Sequence, residues 1–130
     1  MARTATTSNA ILGLLALRPS WPAYEITRQL RRNMRFFWPR AESRIYAELR
    51  RLQESGLAAA RTERTGDRTR TVYSITGAGR RHVRAWLSSP PRATTLESEP
   101  ILRFLLGDLA PPELLMDSVR QVRADALAVL

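Results

Sequence analysis

The spacing of apolar residues changes at Gly56, and this change restricts the possible folds more than any other feature of the sequence. Before Gly56, apolar residues recur at the spacing of a helix with one buried face: Ala41, Ile45, Leu49 and Leu52. After it, residues 68–75 are rich in β-branched and aromatic residues, and a Gly66-Asp67 turn separates them from residues 57–65. This second pattern predicts a two-stranded β-hairpin directly after a helix.

The segment Pro39–Gly56 begins and ends like a helix and carries two different faces. Pro39 disfavours helix at the residue before it and suits a helix start, while Gly56 suits the left-handed residue that ends a helix. The face opposite the apolar stripe carries three arginines among its six residues: Ser43, Arg44, Ala47, Arg50, Arg51 and Glu54. We interpret the segment as a DNA recognition helix, and the alternative is the solvated face of an ordinary surface helix.

Two helices are predicted before this segment. Residues 1–7 are expected to form a loose arm, and Ser8 is expected to cap a first helix that is nearly buried. Its apolar residues are Ile11, Leu12, Leu14 and Leu15. Ser20 or Trp21 is expected to cap a second helix with Pro22 in its first turn. The inward stripe of that helix is Ala23, Ile26, Leu30 and Met34.

A further helix is predicted after the hairpin. Thr76 is the expected N-cap, and the glycine-rich run Gly77–Arg80 lacks the Lys and Ser/Thr of a phosphate loop, so it indicates a helix start. The apolar side of this helix is predicted to be Val83, Trp86 and Leu87. The fold class is therefore mainly α with a two-stranded β-hairpin wing. Residues 1–92 are predicted to form a winged helix-turn-helix, and residues 93–130 to form C-terminal helices.

The distribution of charge points to a polyanion as partner. All 21 basic residues are arginine; residues 1–92 hold 18 of them with 6 acidic residues, and residues 93–130 hold 3 with 6. A winged helix used for protein contacts would explain the fold but not this surplus. An RNA-binding module would explain the charge but usually adds an exposed aromatic platform. Double-stranded DNA is the partner that fits both the fold and the charge.

The arginines are predicted to have two kinds of contact with DNA. Arg44 is the predicted base contact, because a guanidinium can form two hydrogen bonds with guanine. Phosphate contacts are predicted for Arg28 of the second helix and for Arg61, Arg64 and Arg68 of the hairpin. Arg70 belongs to the same cluster around the hairpin tip and is also predicted to bind DNA.

The C-terminal segment carries an apolar seam that is expected to form a homodimer. Two helices are predicted, with a pause between Gly107 and Pro112. Spacings of four and three residues in the second helix are typical of a coiled-coil seam. The predicted dimer residues are Leu105, Leu106, Leu115, Val119, Val122, Ala126 and Val129. The alternative is that this helix folds back on the winged domain. Because the seam reaches Leu130 without a cap, we expect it either to be cut short there or to end against another subunit.

Five segments together resemble the PadR family of transcriptional regulators. The first two are I-L-G-L-L-A-L at 11–17 and A-Y-E-I at 23–26. The next two are S-R-I-Y-A-E-L-R-R-L-Q-E-S-G-L at 43–57 and Y-S-I-T-G-A-G-R at 73–80. The last, L-R-F-L-L-G-D-L-A-P-P-E-L-L at 102–115, is similar to the start of the family's dimerisation region. Where many members carry H-G-Y, this chain has Trp21-Pro22-Ala23-Tyr24.

The resemblance implies a repressor that a small molecule, often aromatic or phenolic, releases from DNA. It places Ser43, Arg44 and Tyr46 on the DNA-reading part of the third helix, with Tyr24 and Tyr46 near the DNA backbone. It places residues 68–70 over phosphates or the minor groove. For the effector, we expect an aromatic pocket near Trp38, Trp86 or the dimer seam.

Catalysis and metal binding are not expected. The chain has no cysteine and a single histidine, His82, which excludes thiolate sites and multi-histidine sites. Phe36, Phe37 and Trp38 are expected to pack beneath a helix junction rather than to stack on bases. No stretch reaches the roughly 20 apolar residues of a membrane span, so the protein is not expected to enter a membrane, and a cytoplasmic location is predicted. No cofactor is predicted.

Overall fold

The element order in the computed structural model, which describes residues 2–35 and 38–130, is that of a winged helix with added helices. The chain divides into two compact units, residues 1–91 and 92–130. The first contains α1 (Ala2–Leu15), β1 (Trp21–Pro22), α2 (Ala23–Met34), α3 (Glu42–Glu54), β2 (Ala58–Thr65), β3 (Arg68–Ile75) and α4 (Gly77–Ser88). The second contains α5 (Glu99–Leu105), a 3-10 turn (Gly107–Leu109) and α6 (Pro112–Val129). No helix in the described ranges is long and apolar enough to cross a lipid bilayer.

The core of the first unit contains most of the predicted helical stripes. Its fully buried centre consists of Ile11, Leu12, Leu15, Ile26 and Leu49, and Leu30, Ile45 and Leu52 are nearly as buried. Ala41 was wrongly assigned to the stripe of α3, because it is exposed and precedes the helix. The predicted fold class, mainly α with a β-hairpin wing, is confirmed.

The prediction of a loose arm over residues 1–7 is wrong. Helix α1 begins at Ala2, so Ser8 lies inside the helix and does not cap it. The reason is that this part of α1 contacts residues far along the chain. Ser8 donates a hydrogen bond to Glu48 of α3, and Thr7 accepts one from Trp38. These contacts hold the first turns of α1 against the domain. Phe36 and Phe37, which were expected to pack beneath the helix junction, lie outside the described residues.

The sheet has one strand more than the predicted hairpin. Trp21 pairs with Tyr73 and Pro22 with Val72, which gives the antiparallel order β1-β3-β2. Proline has no N–H to donate to a ladder and is therefore confined to edge strands and strand starts, and β1 lies at an edge. Helix α2 consequently begins at Ala23, with the extended Pro22 in the cap position instead of the first turn.

Helix α3 ends as the sequence predicts. Gly56 has φ +76°, and its N–H donates to the carbonyl of Gln53 at 3.1 Å. The N–H of Leu57 donates to the carbonyl of Leu52 at 2.9 Å. The two bonds form a Schellman motif, which requires the left-handed residue that glycine supplies. The chain thereby turns from α3 directly into β2.

Helix α4 is fixed against the junction between α3 and β2. The Thr76 hydroxyl accepts a hydrogen bond from the N–H of Gly79 at 3.0 Å, so the predicted N-cap is confirmed. A Cβ atom on Gly79 would lie 2.1 Å from the carbonyl oxygen of Leu57. Of the predicted apolar side, Val83 packs against the core, Trp86 is 36% exposed, and Leu87 is 68% exposed. The predicted apolar side therefore packs against the core only at Val83, and Leu87 is exposed to solvent within this chain.

The second unit is a pair of packed helices with exposed apolar surfaces. Ser118 is buried, and Leu115 is half-buried, with its Cδ2 atom 2.4 Å from the position of a Cβ on Gly107. Leu115 therefore packs inside this unit, and is not an open seam residue. The other predicted dimer residues are exposed: Leu105, Leu106, Val119, Val122, Ala126 and Val129.

Candidate nucleic-acid interface

The outer face of α3 presents polar and basic side chains to solvent. Ser43, Arg44, Arg50 and Arg51 are exposed, and Ala47 is half-exposed. Tyr46 packs partly against the core at the flank of this face. Arg50 forms no ion pair within the described part of the chain, so its guanidinium is free to meet an anion. Glu42 in the first turn bridges to Arg31 of α2 at 3.6 Å, which ties the two helices together at the turn.

Glu48 is a buried carboxylate on the same helix, and its side chain is only 3% exposed. Its Oε1 atom lies 2.9 Å from Nη1 of Arg51 and 3.9 Å from Nε of Arg44. Its Oε2 atom accepts a hydrogen bond of 2.8 Å from the Ser8 hydroxyl. The carboxylate therefore links α1 to two arginines of the basic face.

Three consecutive residues of α1 bind three different elements. Thr7 accepts a hydrogen bond of 2.9 Å from Nε1 of Trp38 in the turn before α3. Ser8 reaches Glu48, and Oδ1 of Asn9 lies 3.0 Å from Nδ1 of His82 on α4. The polar run 7–9 thus connects α1 to the turn before α3, to α3 itself and to α4.

The start of α2 and the wing form a second cationic surface. The guanidinium of Arg28 lies 5.9 Å from the centre of the Tyr24 ring, a cation–π distance. Tyr24 in turn interacts with Arg70 of β3. The pairing of Pro22 with Val72 explains this proximity, because it places the first residues of α2 beside β3.

Glu63 sits between two wing arginines. It faces Arg70 directly across the hairpin, with Oε2 3.0 Å from Nη2, and its other oxygen accepts a hydrogen bond from Arg61. Hydrogen bonds from Arg61 and Arg70 lower the pKa of the Glu63 carboxyl, so the carboxylate keeps its charge to a more acidic pH than an ordinary glutamate. The same contact raises the pKa of Arg70 above its ordinary value. Part of the positive charge of the wing is thus neutralised internally.

The four predicted wing arginines divide between two faces of the hairpin. The register pairs Glu63 with Arg70 and Thr65 with Arg68, so Arg61, Arg68 and Arg70 share one face. Arg64 pairs with Thr69 on the opposite face. Within the described ranges Arg64 and Arg68 have no carboxylate partner. A flat partner surface can therefore lie against the face that carries Arg68 or against the face that carries Arg64, but not easily against both.

A cavity of about 540 Å³ opens between α1, α2 and the turn before α3. Its lining includes Thr7, Ala10, Leu30, Met34, Trp38 and Ile45. Arginines surround this apolar centre, and the Arg40 guanidinium lies 4.3 Å from the centre of the Trp38 ring. Trp86, the other candidate effector residue, is on α4 and does not line this cavity. The arrangement suits a small aromatic or apolar molecule with a negative group.

Sequence reasoning missed Glu48, Glu63 and the run 7–9. A signal for Glu48 exists, because it lies about 60° from Ile45 on the helical wheel and so borders the apolar stripe. Glu63 is the one acidic residue among the strand arginines, and a cross-strand pair could be derived from the two-residue turn. Ser8 follows several threonines near the start of the chain and therefore looks like a helix N-cap. No feature of the neighbouring sequence indicates that its side chain contacts Glu48.

A helix-turn-helix with a basic outer helix face and a cationic hairpin defines a winged-helix nucleic-acid-binding protein. Residues 11–85 match the family model described as the transcriptional regulator PadR-like family. The chain belongs to this family, which is one of transcriptional regulators.

Two kinds of relatives support the assignment. The negative transcriptional regulator PadR of Bacillus subtilis is 31% identical over 96 residues, covering 72% of this chain and 52% of the relative. The crystal structure of Bacillus subtilis PadR in complex with operator DNA superposes with a TM-score of 0.73 at 28% identity, covering 85% of this chain and 63% of that chain. The structure of Bacillus subtilis PadR with p-coumaric acid gives a TM-score of 0.67 at 24% identity, with 93% and 66% coverage. The chain spans about half the length of the curated relative.

Proposed function

We propose that this chain is a sequence-specific DNA-binding transcriptional regulator that binds a palindromic operator as a homodimer. The observation that carries the proposal is the basic outer face of α3, which is exposed beside a cationic wing in a chain of the PadR-like family. Repression is the favoured outcome, since the relative in Bacillus subtilis is a negative regulator. The site of action would be the cytoplasm, at the nucleoid.

Within this proposal, α3 enters the major groove and the wing contacts the backbone. Arg44 is the base-reading residue, since its guanidinium is exposed near the N-terminal end of α3, where side chains reach base edges. Tyr24, Arg28 and the wing arginines Arg61, Arg68 and Arg70 contact phosphate. Arg64 lies on the opposite face of the wing. It would reach phosphate only if the edge of the hairpin, rather than the face that carries Arg68, pointed into a groove.

Two subunits would join through the second unit. The exposed residues Val119, Val122, Ala126 and Val129 follow one side of α6, and a second copy could cover them. A two-fold dimer places two recognition helices roughly 34 Å apart, about one turn of DNA. This geometry requires an operator whose half-sites are inverted repeats.

The decisive experiment is selection of operator sequences from a pool of random duplex DNA across a series of salt concentrations. We expect enrichment of an inverted repeat bound by two subunits, with affinity that falls steeply as salt rises. Light scattering on the selected fragment would give the stoichiometry. Weak and unselective binding by a monomer would contradict the proposal.

Arg44→Ala tests the reading role within the same experiment. Loss of one bidentate base contact should reduce discrimination at one base pair per half-site by about 1–3 kcal/mol. Arg50→Ala is the matched control on the same face, and it should weaken selected and scrambled DNA alike. Equal losses on both DNAs for Arg44→Ala would remove it from the base contacts.

The cavity beside Trp38 is the proposed effector site. Bacillus subtilis PadR has been crystallised with p-coumaric acid, an aromatic carboxylate. A molecule of this class matches the apolar lining and arginine rim of the cavity, and Arg40 already stacks on Trp38. Binding there would act on the turn before α3 and so on the recognition helix.

Tryptophan fluorescence tests this site, with p-coumaric acid as the probe. We expect quenching in the wild type and in Trp86→Phe, and loss of the quenching in Trp38→Phe. The reverse pattern would move the effector site to α4. Absence of quenching in all three proteins would contradict the proposed cavity for this class of ligand.

A further inference from the structure

Glu48 is an unusual residue for the inside of a recognition helix, because a buried carboxylate is costly unless it is paired and hydrogen-bonded. On one side its neighbours on the helical wheel are the buried apolar residues Ile45 and Leu52, and on the other side they are Arg44 and Arg51. An apolar side chain would satisfy the packing of α3 at this position. The presence of a carboxylate therefore calls for an explanation other than packing.

The two oxygens of Glu48 have different partners. Oε2 is held from one side by the Ser8 hydroxyl at 2.8 Å, across the contact between α1 and α3. Oε1 faces outward, 2.9 Å from Nη1 of Arg51 and 3.9 Å from Nε of Arg44. The α1 helix fixes the carboxylate, and the carboxylate restrains the two arginines.

The restrained arginines remain available to a ligand. Their side chains are 53% exposed for Arg44 and 61% exposed for Arg51. Because Arg44 faces Glu48 through Nε, its terminal nitrogens stay free for the two hydrogen bonds that guanine accepts. An arginine held in advance loses less conformational freedom on binding than a mobile one. Arg50 on the same face has no such partner among the described residues and provides the contrast.

We propose that Glu48 is a positioning residue that sets the sequence preference of α3 by holding Arg44 and Arg51 in place, anchored by Ser8. This inference rests on the proposed function and assigns its specificity to a residue that does not touch DNA. Glu48 lowers affinity for DNA in general, because it places a negative charge behind the reading face, and it raises selectivity by restraining the arginines.

The experiment measures the ratio of affinities for selected and scrambled DNA in the full chain. We expect Glu48→Gln to lower this ratio on the order of tenfold while binding to scrambled DNA stays equal or becomes tighter. Glu113→Gln is the matched control, since it removes the same charge from an exposed position of α6, outside the unit that contains the proposed reading face of α3. It should leave the ratio unchanged. An unchanged ratio in Glu48→Gln would overturn the inference.

Two further sets of variants distinguish a positioning role of Glu48 from a purely structural role. Glu48→Met replaces the carboxylate by an apolar side chain of similar length beside the apolar stripe, and it should fold as stably as the wild type yet lose the selectivity. It decides the question if Glu48→Gln does not fold. In an Arg44→Ala, Arg51→Ala background, Glu48→Met should have no further effect on the ratio. A further loss there, or full selectivity in Glu48→Met alone, would show that Glu48 does not act through these arginines.

If the wild type itself selects no sequence, the proposed function fails and the ratio is close to one for every variant. If the wild type is selective and the Glu48 variants match it, only this inference fails. The two failures are therefore distinguishable within one set of measurements.

Discussion

Glu63 shows how one acidic residue can adjust the charge of a DNA-binding surface. It pairs with Arg61 and Arg70, and their hydrogen bonds lower the pKa of its carboxyl, so the pairs persist to a more acidic pH than an ordinary glutamate would allow. The folded-state pKa is depressed, so any stability from these pairs is present above the unfolded-state pKa and is lost as pH falls through the folded value. At physiological pH the pairs are intact, and the wing has less free charge than its arginine count suggests.

We therefore predict that Glu63→Gln increases affinity for DNA of any sequence. Removal of one negative charge leaves the wing with one more net positive charge to meet phosphate, which should steepen the dependence of log affinity on log salt by about one unit. Fluorescence anisotropy with scrambled duplex DNA across a salt series would measure this slope. Glu113→Gln on α6 removes the same charge outside the first unit and should change the slope far less. An identical slope in Glu63→Gln and wild type would show that the wing does not contact phosphate.

Gly79 is required by the close approach of α4 to the end of α3. Because a Cβ there would lie 2.1 Å from a backbone oxygen, Gly79→Ala should lower the free energy of unfolding by about 3 kcal/mol. In Gly77→Ala the nearest atom is a flexible arginine nitrogen at 3.5 Å, so this control should stay within about 0.5 kcal/mol of wild type. Urea unfolding of both variants checks the prediction, and equal stabilities would contradict it.

Predictability at this scale depended on the distance of each partner along the chain. Gly56 and Thr76 could be predicted because a helix end and a helix cap are decided within three or four residues. The Ser8–Glu48 and Asn9–His82 contacts could not, since they join residues 40 and 73 positions apart. Glu48 is the clearest case, because its position on the helical wheel follows from the sequence, whereas its contact with Ser8 does not.

Thr76 connects two secondary-structure elements through one hydroxyl. It accepts from the N–H of Gly79 and donates to the carbonyl of Gly56 at 2.7 Å, so the end of α3 and the start of α4 share it. Thr76→Val keeps the shape and removes both bonds, and it should lower the free energy of unfolding by about 1–2 kcal/mol. Thr76→Ser keeps the hydroxyl and should cost less than about 0.5 kcal/mol. If thermal unfolding finds Val and Ser equivalent, the shared hydroxyl contributes no stability.

The elements themselves were largely predictable, while their N-terminal boundaries were not. Periodicity located α1 to α4 and the hairpin, because each element buries one face at a regular spacing. It failed for the start of α1, whose first turns are held by hydrogen bonds of residues 7 and 8 rather than by an apolar stripe. It also failed for β1, because this strand is only two residues long and forms by pairing with β3.

The division of charge follows the division into units. Residues 1–92 carry 18 arginines and 6 acidic residues, whereas residues 93–130 carry 3 and 6. In the proposed regulator the basic unit meets DNA, and the acidic unit is repelled from phosphate and left to pair with a second copy. The exposed apolar side chains of α5 and α6 fit this separation, since large patches of this kind mark interaction surfaces.

Ala126 and Ala124 provide a matched test of that interface, because both are exposed alanines of α6 two positions apart. On the helical wheel Ala126 lies within the seam of Val119 and Val122, and Ala124 lies on the other side. Ala126→Glu would bury an unpaired carboxylate between two copies, so we expect dimer affinity to fall at least tenfold, or about 1.4 kcal/mol.

Ala124→Glu should leave the dimer unchanged, because its carboxylate stays in solvent. Sedimentation equilibrium measures the dissociation constant of each variant, and circular dichroism verifies that helix content is retained. The dimer variant should also bind operator DNA more weakly at low protein concentration, since two half-sites are no longer held together. Equal dimer affinity in both variants would exclude this side of α6 as the interface.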